Sequence, residues 1–163
     1  DRIVKADLSP DDSVMVEQAN AAVRQIVALT ERALERGELE RSALFDTDYR
    51  PIENSKPQRY RTGLSSWADA NWRPILDTVS AADEHILACA CTDRNGFLPT
   101  HLTHHSRMPT GDVAHDTKYC RNGRIILYPV DRKAKASNAP YMMAVYRQEE
   151  EEMAAARARE GAA

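Results

Sequence analysis

Four histidines and one cysteine fall within a single twenty-residue stretch and are the side chains of this sequence best suited to chemistry. They are His101, His104, His105, His115 and Cys120. Imidazole nitrogens and thiolate sulfurs are ligands that zinc and other transition metals prefer in proteins. We therefore take His101, His105, His115 and Cys120 as a candidate metal site.

No C-x-x-C or H-E-x-x-H spacing accompanies these residues, so they do not form a recognised metal motif. Two other interpretations stay open. The stretch can be a polar loop whose histidines are solvated or hydrogen-bonded, or one histidine can hold a haem, as in some sensory domains. The identity of any cofactor is therefore left undetermined by the sequence.

Composition and charge exclude several classes of protein. The chain has 163 residues, of which 42% are hydrophobic, and this suits one domain with a packed core. Its net charge of −3 gives no strong positive field for a phosphate backbone, so nucleic acid is not an expected partner. No window approaches about 18 uninterrupted apolar residues, so we expect no membrane segment in this chain.

The number of cysteines bears on the expected cellular location, and the missing enzyme motifs bear on the expected activity. Three cysteines, an odd number, do not make a disulfide framework, so a reducing, cytoplasmic location is expected. The chain begins with Asp rather than Met, which suggests a piece of a longer protein. Because no G-x-S-x-G, P-loop or G-x-G-x-x-G sequence occurs, we expect no enzymatic activity.

Two helices are predicted in the first half of the chain. Ser9-Pro10-Asp11-Asp12 offers an N-cap hydroxyl followed by proline at the first helical position. Apolar residues then recur at alternating three- and four-residue steps over residues 16–33, and Gly37 is the expected C-cap. This stripe is typical of a helix packed on its own domain, and pairing with a partner chain is the alternative. A second helix is predicted over residues 65–80, bent or split at Pro74.

Antiparallel strands are predicted in the second half. The Asn95-Gly96 pair between two apolar runs is a strong hairpin signal. The predicted strands cover residues 85–92, 97–102, 124–130 and 141–146, and the polar stretch 103–122 is predicted to be a long loop or a short helix. Helices followed by antiparallel hairpins indicate an α+β domain with a small sheet and helices packed on one face.

Several motifs occur in a fixed order between Leu39 and Arg147. They are Leu44-Phe45-Asp46 with Pro51-Ile52, then Asp93-Arg94-Asn95-Gly96-Phe97-Leu98-Pro99-Thr100-His101, Gly111-Asp112, Arg121-Asn122-Gly123-Arg124-Ile125, and Pro140 to Arg147. In this order they resemble the PAS/Cache-like sensor domain of many proteobacterial methyl-accepting chemotaxis proteins, where it commonly follows the cytoplasmic signalling hairpin. The chain departs from the family at Leu102, at Gly123 and after Arg147, where an acidic tail stands in place of the last strands.

The resemblance implies a truncated, divergent PAS-like antiparallel sheet with a long N-terminal helix and a second helix packed on it. It divides the chain into an N-terminal helix (1–40), a sensor domain (41–147) and an acidic C-terminal helix or tail (148–163). The implied function is to bind a small ligand or cofactor and to relay a conformational change to the signalling domain of a bacterial chemotaxis receptor. Because a shortened sheet exposes an edge, a homodimer is expected. A haem- or metal-binding module and a ligand-free dimerisation domain are the alternatives.

The resemblance also implies a ligand pocket near the best-matched motif. The implied ligand-binding residues are His101, Asp112, Arg121, Asn122, Arg124 and Tyr146. Arginine offers a planar donor fork suited to carboxylate or phosphate, and asparagine offers a donor and an acceptor. The alternative is structural, because arginine–carboxylate pairs can equally tie the long loop to the sheet.

Overall fold

The computed structural model describes residues 10–144 of the chain. Between these limits the chain forms five α-helices, one short 3-10 helix and one two-stranded antiparallel sheet. The helices are α1 (Pro10–Glu35), α2 (Arg41–Leu44), α3 (Ser65–Ala81), α4 (Val113–Tyr119) and α5 (Pro129–Ala136), and the strands are β1 (Arg50–Pro51) and β2 (Tyr60–Arg61). This α-rich content is compatible with the predicted α+β class. Two compact units are present, one ending at Leu127 and one beginning at Tyr128.

The long first helix is confirmed, and its end is set by glycine. After α1 the amide of Gly37 donates to the carbonyl of Leu34 (3.2 Å) and the amide of Glu38 donates to the carbonyl of Ala33 (2.9 Å). Gly37 takes φ +70°, which glycine adopts without the Cβ penalty of other residues. The predicted stripe is confirmed only in its second half: Ile26, Thr30 and Ala33 are buried, whereas Val23, also part of it, is 57% exposed and Ala22 is buried instead.

The second helix is also confirmed, and it packs on α1. Helix α3 continues through Pro74, so of the predicted bend or split the split does not occur. Its fully buried Ala68 and Leu76 face the core with Trp72. Burying one leucine side chain contributes about 1.5–3 kcal/mol, so this contact is a principal source of stability. The core cluster comprises Ile26, Ala33, Leu39, Leu64, Ala68, Trp72, Leu76 and Leu102.

The short sheet continues through backbone hydrogen bonds into two further extended segments. Strand β1 pairs with β2 in the register Arg50↔Arg61. The amide of Tyr60 in β2 donates to the carbonyl of Gly123 (2.7 Å), and the amide of Gly123 donates to the carbonyl of Leu98 (2.7 Å). An isolated antiparallel bridge, Phe97↔Ile125, extends this layer. The segments 96–98 and 123–126 therefore lie side by side although they are far apart in sequence.

The strand predictions were wrong in two places. Residues 85–92 form no strand, and of the predicted strand over residues 97–102 only Phe97 pairs, through an isolated bridge with Ile125. A turn does form over residues 93–96, closed by the bond from the Gly96 amide to the Asp93 carbonyl (3.1 Å), but Arg94 and Asn95 are at its centre rather than the predicted Asn95-Gly96 pair. However, Gly96 lies so close to Ile126 that a Cβ would be 2.4 Å from the Ile126 carbonyl oxygen. The distant segment bonds the edge formed by Gly96 and Leu98, and on the opposite edge the Phe97 carbonyl accepts the Asp93 amide at 3.1 Å. Local backbone pairing across the turn stops at that bond, because residues 85–92 form no strand.

The predicted strand over residues 124–130 does not form either: only Ile125 pairs, through the isolated bridge. Helix α5 begins at Pro129, because proline fits the first helical position and Asp131 accepts a hydrogen bond from the amide of Tyr128 (3.0 Å). Residues 141–144 have no regular structure, and the rest of the predicted strand over 141–146 lies outside the described residues. None of the helices between residues 10 and 144 has the length and apolar character needed to cross a membrane.

Candidate functional site

An irregular hairpin brings the histidine-rich stretch together. The bridge Ser106↔Cys120 and the hydrogen bond from the Arg121 amide to the His105 carbonyl (2.7 Å) join the two arms. Helix α4 lies between these arms in sequence, so the polar stretch contains the short helix that the sequence allowed. The hairpin places Arg121 beside the 3-10 helix Thr103–His105.

His101 is buried and held as a neutral ring. Only 2% of the residue is exposed, and its Nδ1 accepts the amide hydrogen of Leu102 at 2.8 Å. Burial, followed by the positive charge of Arg121, lowers the pKa of His101 to about 3. A neutral imidazole carries one proton, and because Nδ1 accepts, that proton is on Nε2. His101 therefore offers a hydrogen-bond donor to a ligand rather than a metal-binding lone pair.

His105 and Arg121 complete a cluster around His101. The His105 ring stands edge-on to that of His101, with centroids 5.1 Å apart. Burial, followed by the neighbouring charges of His104 and Arg121, lowers the pKa of His105 to about 4. Its Nδ1 is buried without a hydrogen-bond partner. Among residues 10–144 the guanidinium of Arg121 likewise makes no hydrogen bond or ion pair.

Helix α3 holds the segment that carries His101. Arg73 donates from Nε to the Thr100 hydroxyl (3.1 Å) and to the His101 carbonyl (3.0 Å), and it also binds Asp69. One turn further along, the Asp77 carboxylate accepts the amide and the hydroxyl hydrogens of Thr103 at 2.9 and 2.7 Å. Sequence reasoning missed Arg73 and Asp77, because no local pattern reveals contacts between segments some 26 residues apart.

Three other predicted ligand-binding residues have contacts inside the protein. Asp112 caps α4, accepting the amides of Ala114 (2.8 Å) and His115 (3.0 Å). Asn122 accepts two hydrogen bonds from Arg59, both at 2.8 Å, through its carbonyl and its side-chain oxygen.

Arg124 donates to the carbonyl of Thr117 at 2.9 Å. The contacts of Asp112, Asn122 and Arg124 correspond to the structural alternative, in which these residues hold the long loop in place. Tyr146, the remaining predicted ligand-binding residue, lies outside the described residues.

The four predicted metal ligands fall into two pairs. His101 contacts His105, whereas His115 and Cys120 both contact Asp116. His115, Asp116 and Cys120 place one ligand atom each within 4.8 Å of one another. Asp116 was missed by sequence reasoning, although its position four residues before Cys120 on a short helix could have indicated it.

A groove of about 630 Å³ lies along α1 and α3. Arg24, Leu29 and Arg32 of α1 and Ile75 of α3 are among its lining residues, and it contains none of the predicted ligand-binding residues. This groove is therefore separate from the His101 cluster.

Comparisons of the chain with protein-family models, with curated proteins and with solved structures find no match.

Proposed function

We propose that this chain is a non-enzymatic sensor domain of a bacterial chemotaxis or related signal-transduction receptor, with a divergent PAS-like architecture. It binds a small anion beside His101, His105 and Arg121 and transmits the binding to α1. The observation that carries the proposal is the position of α3, which contacts the His101 segment through one set of side chains and α1 through another.

The ligand class follows from the donors present. His101 presents Nε2–H, and Arg121 presents a half-buried guanidinium without a described partner. Both groups donate hydrogen bonds, and a guanidinium fork matches the paired oxygens of carboxylate or phosphate. Because only 2% of His101 is exposed, a ligand reaches its ring only when the surrounding segment moves. Binding is thereby linked to a change of conformation, as a sensor requires.

The relay follows the side chains of α3. Arg73 and Asp77 bind the segment that carries His101, and Trp72, next to Arg73, donates to Thr30 of α1 at 2.9 Å. A shift of the His101 segment therefore acts on a helix that packs directly on α1. Such coupling requires that the anion bind one arrangement of α3 more tightly than the other.

The assembly proposed is a homodimer in the cytoplasm that contacts the receptor's signalling domain. Val23 and Val27 of α1 are 57% and 46% exposed, next to the buried stripe, and they offer apolar surface to a second copy. All three cysteines are free thiols, which fits a reducing compartment. Light scattering of the purified chain tests the dimer.

Tryptophan emission provides a direct test of binding and relay. The chain has two tryptophans, both on α3, so Trp67→Phe leaves Trp72 as the only reporter of the α1–α3 contact. Inorganic phosphate, acetate and succinate are titrated at constant ionic strength. We expect at least one anion to raise the unfolding temperature and to change the Trp72 emission saturably.

Three variants distinguish the binding of the anion from the transmission of that binding to α1. Arg121→Gln should remove both effects, and Arg73→Gln should reduce the emission change more than the stabilisation. Arg94→Gln, an exposed arginine on the 93–97 turn, is the matched control and should behave like the parent chain. If no anion has an effect, or if Arg121→Gln responds like Arg94→Gln, the anion-sensing proposal is wrong.

A further inference from the structure

Asp116 is the centre of a second cluster, on and beside α4. Its Oδ1 accepts the amide and the hydroxyl hydrogens of Thr110 (2.9 and 3.0 Å), and its Oδ2 accepts the amide of Gly111 (3.0 Å). The same Oδ1 lies 3.1 Å from His115 Nδ1 and 3.7 Å from Cys120 Sγ. Asp116 is 4% exposed and Cys120 is 1% exposed, so two potential metal ligands are fixed in the interior.

The donor set and its spacing match a zinc site. Zinc binds histidine nitrogen and carboxylate oxygen at about 2.0–2.2 Å and thiolate sulfur at about 2.3 Å, so neighbouring ligand atoms around a tetrahedral ion are separated by about 3.2–3.7 Å. The two measured separations, 3.1 and 3.7 Å, are close to that range. All three ligand atoms lie within 4.8 Å of one another. The His115 nitrogen and the Cys120 sulfur therefore need to move only slightly closer to bind the same ion.

We propose that His115, Asp116 and Cys120 form a binding site for Zn²⁺ or a similar divalent transition-metal ion. The His115 side chain is 31% exposed, which gives the ion a path of entry and leaves a fourth position for water. Cys120 binds as the thiolate, and its proton passes to solvent when the sulfur–metal bond forms. Thr110 and Gly111 continue to donate hydrogen bonds to Asp116 and orient its carboxylate toward the ion, as groups that contact metal ligands commonly do.

This site is independent of the anion site proposed above. It uses neither His101 nor Arg121, and the described contacts of its three ligands do not include them. The competing explanation is a metal-free network in which His115 and Cys120 only donate hydrogen bonds to Asp116. The two explanations differ in whether sulfur enters the coordination of an added metal.

Cobalt(II) is the probe, because a thiolate bound to Co²⁺ gives an intense charge-transfer absorption as well as visible d–d bands. The reduced full chain is titrated with Co²⁺ and then with Zn²⁺. We expect one equivalent of Co²⁺ to produce the thiolate band and Zn²⁺ to abolish it. Zn²⁺ alone should also raise the unfolding temperature, because a ligand that binds only the folded state stabilises it.

Four variants distinguish this site from other thiols and imidazoles. Cys120→Ser should remove the charge-transfer band, and His115→Gln, at a partly exposed position, should raise the apparent Kd for Co²⁺ roughly tenfold or more. Cys89→Ser and His104→Gln are the matched controls and should bind as the parent chain does. The proposal is overturned if the parent chain shows no thiolate band at saturating Co²⁺. It is equally overturned if the band survives in Cys120→Ser or is lost in Cys89→Ser.

Discussion

The indole N–H of Trp72 on α3 donates to the hydroxyl oxygen of Thr30 on α1, with a nitrogen–oxygen distance of 2.9 Å. The Thr30 hydroxyl in turn donates to the carbonyl of Ile26 at 2.7 Å, which orients its lone pairs for the indole. Trp72 is 9% exposed and Thr30 is 8% exposed, so this polar contact lies within an apolar interface. It fixes how the two helices meet, since sliding either helix would leave a buried donor without a partner.

Replacing Thr30 by valine should destabilise the chain although the shape of the side chain is nearly unchanged. The substitution leaves the Trp72 N–H buried without an acceptor, and such a group costs about 1–3 kcal/mol. Urea unfolding measures the free energy. Trp72→Phe and the double variant complete a double-mutant cycle, in which the loss from Thr30→Val should be smaller when the indole is absent. A loss of equal size in both backgrounds would contradict the contact.

Stability should fall as the pH is lowered from about 6.5, because His101 stays neutral in the folded chain. Burial and the charge of Arg121 lower its pKa from the ordinary histidine value of 6.5 to about 3. Between these values the unfolded chain binds a proton that the folded chain does not, so the contribution of His101 to stability is complete above pH 6.5 and lost as the pH falls toward 3. At pH 5 the loss is about 2 kcal/mol.

His101→Asn is the control for this titration. Asparagine can place an oxygen near the position of Nδ1, where it can accept the Leu102 amide, and it does not titrate. Unfolding free energies of both chains are compared between pH 7 and pH 5. The advantage of the parent chain should shrink by about 2 kcal/mol over that interval. An advantage that stays constant with pH would show that His101 titrates normally.

Gly123→Ala should be far more damaging than Gly37→Ala. Both glycines have positive φ, +79° and +70°, so each alanine carries roughly 1–2 kcal/mol of backbone strain. A Cβ on Gly123 would also lie 2.6 Å from the carbonyl oxygen of Tyr60, whereas a Cβ on Gly37 would meet nothing within 4 Å. The additional overpacking costs about 1–3 kcal/mol. Thermal unfolding of the two variants measures the difference, and equal melting temperatures would contradict the close approach of β2 and the 123–126 segment.

The three thiols should react slowly in the folded chain. Burial, followed by the neighbouring Cys89, raises the pKa of Cys91 to about 11, and burial also raises the pKa of Cys89 and of Cys120. Because the thiolate is the reactive form, Cys91 should react with Ellman's reagent about a hundredfold more slowly at pH 8 than an ordinary thiol. The metal-free folded chain is compared with the same chain in urea. Fast labelling of Cys91, which is partly buried, in the folded chain would contradict the raised pKa of its thiol.

The sequence by itself determined the helices, because their signals are local. The stripe over residues 16–33 and the glycine at residue 37 predict where α1 lies and ends, and the same reasoning locates α3. The position of a turn near Asn95-Gly96 was predicted for the same reason, since a turn depends on the backbone freedom of its own residues, although Arg94 and Asn95 are its central pair and Gly96, with φ +82°, follows them. The presence of a short helix in the polar stretch was one of the two structures allowed by its composition.

Only the tertiary structure decided which extended segments pair and which polar residues meet. Phe97 pairs with Ile125, and Arg73 holds His101, through contacts about 28 residues apart that no local pattern specifies. The histidine-rich stretch contained the right residue types, but the fold divides them between a buried cluster at His101 and a potential metal site at Asp116. Hydrophobic periodicity records which side of a segment is buried, and it carries no information about the partner that buries it.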